Sequence, residues 1–196
     1  MLLARDPDTK ARPGRPRDEA QWRKRREEIL VASALLFAEA GFRQTDLKRV
    51  ADHLGLAKGT LYNYFSSKEE LFFAAVDHGL EQLSGCLADV HSVHPQEQLR
   101  LKIEAYLGFF AEHRHIFELF LQERAEFKDL RGDGAALERC RLIVQSWFAE
   151  EENLAGLSAD GLSTLLLGLC LQPRSLCGLL AGNLCRSWDW LLEPVK

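Results

Sequence analysis

The sequence predicts an all-α protein in which a small N-terminal bundle is joined to a larger C-terminal one. Three observations carry that prediction. Apolar residues recur at i, i+3, i+4 and i+7 from Ile29 onward, the spacing of one helix face. No segment shows sustained two-residue alternation bounded by hairpin turns, so no sheet is expected. The charge is also divided. Residues 1–68 hold 14 Lys and Arg against 9 Asp and Glu, a balance of +5, whereas residues 69–196 hold 11 against 20, a balance of −9. The whole-chain charge of −4 would by itself argue against nucleic acid. A basic front and an acidic back instead point to two parts with different partners.

Each element can be justified in order. Residues 1–20 carry Pro7, Pro13, Gly14 and Pro16, five basic and four acidic residues and few apolar ones, so a flexible basic arm is expected. From Gln21 the pattern is helical, with Ile29, Ala32, Ser33, Leu36, Phe37 and Ala40 on one face. Gly41 ends it as a C-cap residue. Thr45-Asp46 reads as an N-cap followed by an acidic first turn. Leu47, Val50, Ala51 and Leu54 then form a short second stripe that Gly55 stops. A third short helix spans about Ala57 to Tyr64, with Leu61 and Phe65 turned inward. Ser67-x-x-Glu70 is a capping box that opens a fourth. Helices are expected at about 68–90, 96–112, 114–127, 134–153, 159–171 and 174–192, broken at His94-Pro95, His113, Asp129–Gly134, Ala155–Ser158 and Gln172-Pro173.

With 46% hydrophobic and 28% charged residues, 14 Gly and 6 Pro, the chain can bury a core and is neither fibrous nor low-complexity. Met1–Leu3 is followed at once by Arg5, Asp6 and Asp8, so no signal peptide is expected. The longest apolar stretch, Gly161–Leu171, is too short to span a bilayer, so no membrane partner is expected. Cys86, Cys140, Cys170, Cys177 and Cys185 are odd in number and widely spaced. They read as buried thiols of a cytoplasmic protein and not as a disulfide framework.

The informative stretch runs from Thr45 to Lys68. Two short helices separated by Gly55-Leu56, with Ala51 four residues before the glycine, describe a helix-turn-helix. The small Ala51 lets the second helix approach, and Gly55 takes a left-handed turn conformation that other residues adopt at a cost. The second helix then offers Lys58, Gly59, Thr60, Tyr62, Asn63 and Tyr64 outward. A DNA major groove admits such a helix, and hydroxyl, amide and ammonium donors suit base edges and phosphates.

The run from Gly41 to Phe72, with K-G-T-L-Y-N-Y-F followed by S-S-K after an Ala-x-x-x-Gly turn, resembles the DNA-binding domain of the tetracycline-repressor (TetR) family of bacterial transcriptional regulators. With the preceding helix it covers a quarter to a third of the chain. The resemblance implies that Thr45 holds a phosphate, that Gly59 and Thr60 lie against the groove, and that Tyr62, Tyr64 and Lys68 clamp backbone phosphates. Val50 and Leu56 stand where other aliphatics are common, and Tyr64 where histidine is frequent. It also implies residues 21–70 as a helix-turn-helix DNA-binding domain and 71–196 as an effector-binding and dimerisation domain. The expected protein is a homodimeric, ligand-responsive repressor on a pseudo-palindromic double-stranded operator, its small-molecule effector unknown. An A·T-rich-DNA-binding architectural protein without effector is the alternative.

Arg12-Pro13-Gly14-Arg15-Pro16-Arg17 resembles the core of an AT-hook, in which Arg15 and Arg17 would enter a narrow minor groove; an ordinary solvated basic tail is the favoured alternative, since so short a match in a flexible tail is weakly specific. Arg23-Lys24-Arg25-Arg26 opens the first helix against its dipole, which suggests phosphate contact. In the C-terminal part, Phe109, Phe110, Phe117 and Trp147 are candidates for an aromatic-lined pocket. Leu162, Leu165, Leu166, Leu169, Leu176 and Leu180 are candidates for an intersubunit seam. His91-x-x-His94 and His113-x-His115 lack a completing ligand set nearby. No nucleophile elbow or Gly-rich phosphate loop is present, so neither an enzyme, a metal nor a cofactor is expected.

Overall fold

Eight helices and no strand make up the described residues. The structure, a computed structural model, describes residues 18–131, 135–149 and 158–170, apart from the side chains of 95–96 and 128–131. The helices are α1 (Glu19–Ala40), α2 (Leu47–His53), α3 (Lys58–Tyr62), α4 (Lys68–Ala88), α5 (Pro95–Glu112), α6 (Arg114–Arg131), α7 (Ala135–Phe148) and α8 (Ala159–Cys170).

Helix ends in the first half are set by neighbouring side chains. Asp18 accepts from the amides of Ala20 (3.1 Å) and Gln21 (3.2 Å), so α1 begins at Glu19, two residues before the expected start at Gln21. Gly41, at φ 85°, closes α1 by donating its amide to Phe37 O at 2.8 Å. The cap of α2 is Asp46, whose carboxylate accepts from Arg49 N at 2.7 Å. The expected cap, Thr45, is buried instead. Its hydroxyl donates to Leu36 O (3.2 Å) and Gly41 O (2.9 Å) and fastens the loop to the end of α1. At α4, Ser67 Oγ accepts from Glu70 N at 3.0 Å. The Glu70 carboxylate reaches back one residue further than a capping box requires, accepting from the amide (2.7 Å) and hydroxyl (2.5 Å) of Ser66. Those two bonds hold its carboxyl below the usual range.

Pro95, expected as a break, is the first residue of α5, where its missing N–H costs nothing. The expected end of α6 is an interruption. Phe127 leaves helical geometry (φ −126°, ψ 21°), and the helix resumes to Arg131.

Helix α4 is shared between the two halves. It packs on α1 and also against α5, α6 and α7, with Leu71, Phe72, Ala75, Val76, Leu80, Leu83 and Leu87 buried. Each large side chain so buried contributes about 1.5–3 kcal/mol. Gly79 lets α4 approach α6 closely, since a Cβ there would lie 2.6 Å from Ile116 Cγ2. A ring cluster joins the halves: Phe72 meets Phe37 edge-on at 5.2 Å, and Phe127 lies 4.7 Å from both Phe42 and Phe73. A second ring cluster, Tyr106–Phe110–Phe117, meets edge-on in the C-terminal bundle at 5.2 and 5.3 Å.

In that bundle, three helix ends are met by charged side chains from far along the chain. Buried Glu123 accepts from Ala136 N at 2.6 Å at the start of α7. Buried Lys102 donates to Trp147 O at 2.8 Å at its end. Arg114 donates to Cys170 O at 2.6 Å at the end of α8. Each sign suits the helix dipole it meets.

Candidate nucleic-acid interface

The turn between α2 and α3 is built from the backbone outward. Gly55 sits at φ 64°, in the left-handed region. Leu56 N donates to Ala51 O at 2.8 Å, so the chain reverses against the buried Ala51. Leu61 and Phe65 are buried in the core, and α3 packs on α2. What faces outward is then determined by the helix period: Lys58, Gly59, Tyr62 and Asn63 are exposed, Thr60 and Tyr64 half-buried. A Cβ added at Gly59 would meet nothing within 4 Å, so the backbone there is open to close approach. Lys58 Nζ lies 5.8 Å from the centre of the Tyr62 ring.

The four residues expected at phosphates are placed in four different ways. Tyr62 is freely displayed. Tyr64 lies against α1, its ring stacked on Trp22 at 5.3 Å with 21° between planes. The Thr45 hydroxyl is spent on two carbonyls, so its side chain is withdrawn from solvent. Lys68 is half-buried; its ammonium donates to Phe42 O at 3.0 Å and sits 4.2 Å from the centre of that ring. Arg15 and Arg17 lie outside the described residues.

The start of α1 is brought beside α3, which its apolar spacing did not foretell. Asp18, Gln21, Trp22 and Arg25 line a groove of about 360 Å³ together with Thr60, Asn63 and Tyr64. The only sign in the sequence was the basic run at 23–26. Within it, Arg23, Lys24 and Arg25 are exposed, while Arg26 lies 5.0 Å over the Phe65 ring.

The candidate pocket and seam residues also separate. Phe110 and Phe117 are buried in the edge-on ring cluster, with Phe109 5.1 Å from Phe110. Phe109 reaches a groove of about 480 Å³ lined also by Gln82, Cys86, Ala105, Gly108, Glu112 and His113. Trp147 is packed on Phe148 and covers the Lys102 ammonium at 5.0 Å. On α8, Leu162 and Leu166 are buried in the chain's own core, Leu169 is partly buried, and Leu165 leaves 50% of its surface exposed. Leu176, Leu180 and the helix expected at 174–192 lie outside the described residues. Burial raises the thiol of Cys140 to about 12, so it is chemically quiet. Among the described residues no group of three His, Cys, Asp or Glu is placed to hold a metal ion, and no helix is long and apolar enough to cross a membrane.

A family model described as "Bacterial regulatory proteins, tetR family" matches residues 29–75, the segment from the middle of α1 into α4. Over those residues the chain is similar to the TetR family of bacterial regulators. Its TetR-type N-terminal helix-turn-helix is followed by a helical C-terminal part. It is 33% identical to the transcriptional activator FasR of Mycolicibacterium smegmatis over 109 residues, 53% of this chain and 48% of that protein. It is also 33% identical to the transcriptional repressor KstR2 of Mycobacterium tuberculosis over 104 residues, 52% of each. The chain thus spans about half the length of these curated relatives. The fold extends further. FadR of Bacillus subtilis, solved with stearoyl-CoA, superposes with a TM-score of 0.63 at 19% identity, over 87% of this chain and 99% of that one.

Proposed function

We propose that this chain is a homodimeric, ligand-responsive repressor of the TetR family that binds a pseudo-palindromic DNA operator in the cytoplasm. The carrying observation is the outward face of α3. Lys58, Gly59, Tyr62 and Asn63 are exposed on a helix whose opposite face is locked into the core. Donors of this kind meet base edges and phosphates. Residues 21–70 form the DNA-binding domain and 71–196 the effector-binding and dimerisation domain, with Lys58, Gly59, Thr60 and Asn63 at the groove and Tyr62, Tyr64 and Lys68 at phosphates. Thr45 acts through the loop it fastens. Dimerisation rests on the Leu165 face of α8, since Leu162 and Leu166 are used internally.

An effector in the C-terminal bundle acts by favouring a dimer with the wrong spacing of recognition helices, which are about 34–36 Å apart when DNA-competent. Stearoyl-CoA, the ligand of FadR, is the first compound to screen.

The test is selection of duplexes from a random-sequence library, with sedimentation of the protein alone and on the selected DNA. A recovered pseudo-palindrome bound by a dimer supports the reading, and Leu165→Glu should give a monomer that loses it. Uniform recovery of A·T-rich duplexes would favour the architectural alternative, and a wild-type monomer on DNA would remove the dimer.

A further inference from the structure

Phe42 stands between the interruption of α6 and the ammonium of Lys68. On one side its ring meets Phe127 edge-on at 4.7 Å, and Phe127 is the residue at which α6 leaves helical geometry. The next loop residue, Arg43, pairs with Glu126 of α6 at 2.6 Å. On the other side the Phe42 carbonyl accepts from Lys68 Nζ at 3.0 Å, and the ring carries the same ammonium 4.2 Å from its centre. An ammonium has three donors. One is directed to the carbonyl, and the charge is drawn to the ring face. The long, freely rotating stem of a lysine is thereby confined to one region before any anion arrives.

We propose that Phe42 is a positioning residue for DNA: it holds the Lys68 ammonium ready for a backbone phosphate, and Glu126 and Phe127 of α6 hold Phe42 and Arg43 in turn. This rests on the DNA-binding reading above. It deepens that reading by naming a side chain, itself outside α3, through which the C-terminal bundle touches the DNA-binding face.

A double-mutant cycle tests it. The probe is a duplex of about 30 base pairs selected by the wild-type protein, titrated over a range of salt. Lys68→Ala should reduce the slope of log affinity against log salt by about one. Phe42→Leu should weaken binding about threefold to tenfold in the presence of Lys68, and less than about twofold in the Lys68→Ala background. Phe42→Tyr, which keeps the ring face, should stay within about twofold of wild type. Urea melts confirm that each variant is folded under the binding conditions. If Phe42→Leu does not fold, Phe42→Met takes its place in the cycle.

Equal losses from Phe42→Leu with and without Lys68, or a folded Phe42→Tyr that binds as weakly as Phe42→Leu, overturn the proposal while leaving DNA binding intact. A wild-type protein that retains no duplex overturns the DNA-binding reading, and the proposal with it.

Discussion

Helix ends are satisfied differently in the two halves of the molecule. In the N-terminal unit the N-caps are local: Asp18, Asp46 and Ser67 each accept amides two or three residues ahead. In the C-terminal bundle the start of α8 is capped locally too, Ser158 Oγ accepting from Gly161 N, but three other helix ends are met from afar. Lys102 meets a carbonyl 45 residues away, Arg114 one 56 residues away, and Glu123 an amide 13 residues away. A local cap forms with its helix and needs no tertiary structure. A remote one exists only when two helices are already packed, and buried Lys102 and Glu123 lose their hydration in making it. The helix starts of the N-terminal half therefore carry their own punctuation, whereas both ends of α7 and the C-terminal end of α8 depend on how the bundle is assembled.

The largest expected effect tests the remote kind. Glu123→Ala removes a buried acceptor and leaves Ala136 N–H without it, so unfolding in urea should show a loss of about 2–3 kcal/mol. Glu123→Gln, which still accepts, should recover part of that. A loss no larger than that of an exposed cap would remove the distinction between the halves. Next in size is Asp46→Ala, expected to cost about 1 kcal/mol in the same measurement, because an exposed N-cap bond is exchanged for water. A loss well above that would mean that α2 depends on its cap as strongly as α7 does.

The smallest effect depends on pH. The Glu70 carboxyl is held low by the Ser66 hydroxyl and amide. A depressed carboxyl stabilises the fold above its unfolded value of about 4.3, and that contribution disappears as pH falls through the folded value. The stability difference between wild type and Glu70→Gln should therefore narrow on acidification from pH 7. A difference that stays constant down to pH 3 would show that the Ser66 bonds are not made in solution.

This contrast also explains what could be read in the sequence. Gly41, Gly55 and the Ser67 cap announce themselves because their signals lie within one turn of the residues they act on, and the helix-turn-helix is assembled from such signals. Thr45 was misread as a cap because its partners, Leu36 O and Gly41 O, are visible only once α1 ends beside it. The stack of Tyr64 on Trp22 joins residues 42 positions apart, and no local pattern encodes it. On α8 every leucine in the apolar run looks alike, and only packing separates buried Leu162 and Leu166 from half-exposed Leu165. The charges that cap α7 and α8 read in the sequence as ordinary surface residues.

The contact at Gly79 has a mechanical consequence. With no side chain between the α4 backbone and Ile116, the two helices meet without clearance. The branched Ile116 has few rotamers into which it can retreat. A packed joint of this kind does not absorb a push; it passes it on. A displacement of α6 at this level would therefore bear directly on α4, whose first turn carries Lys68.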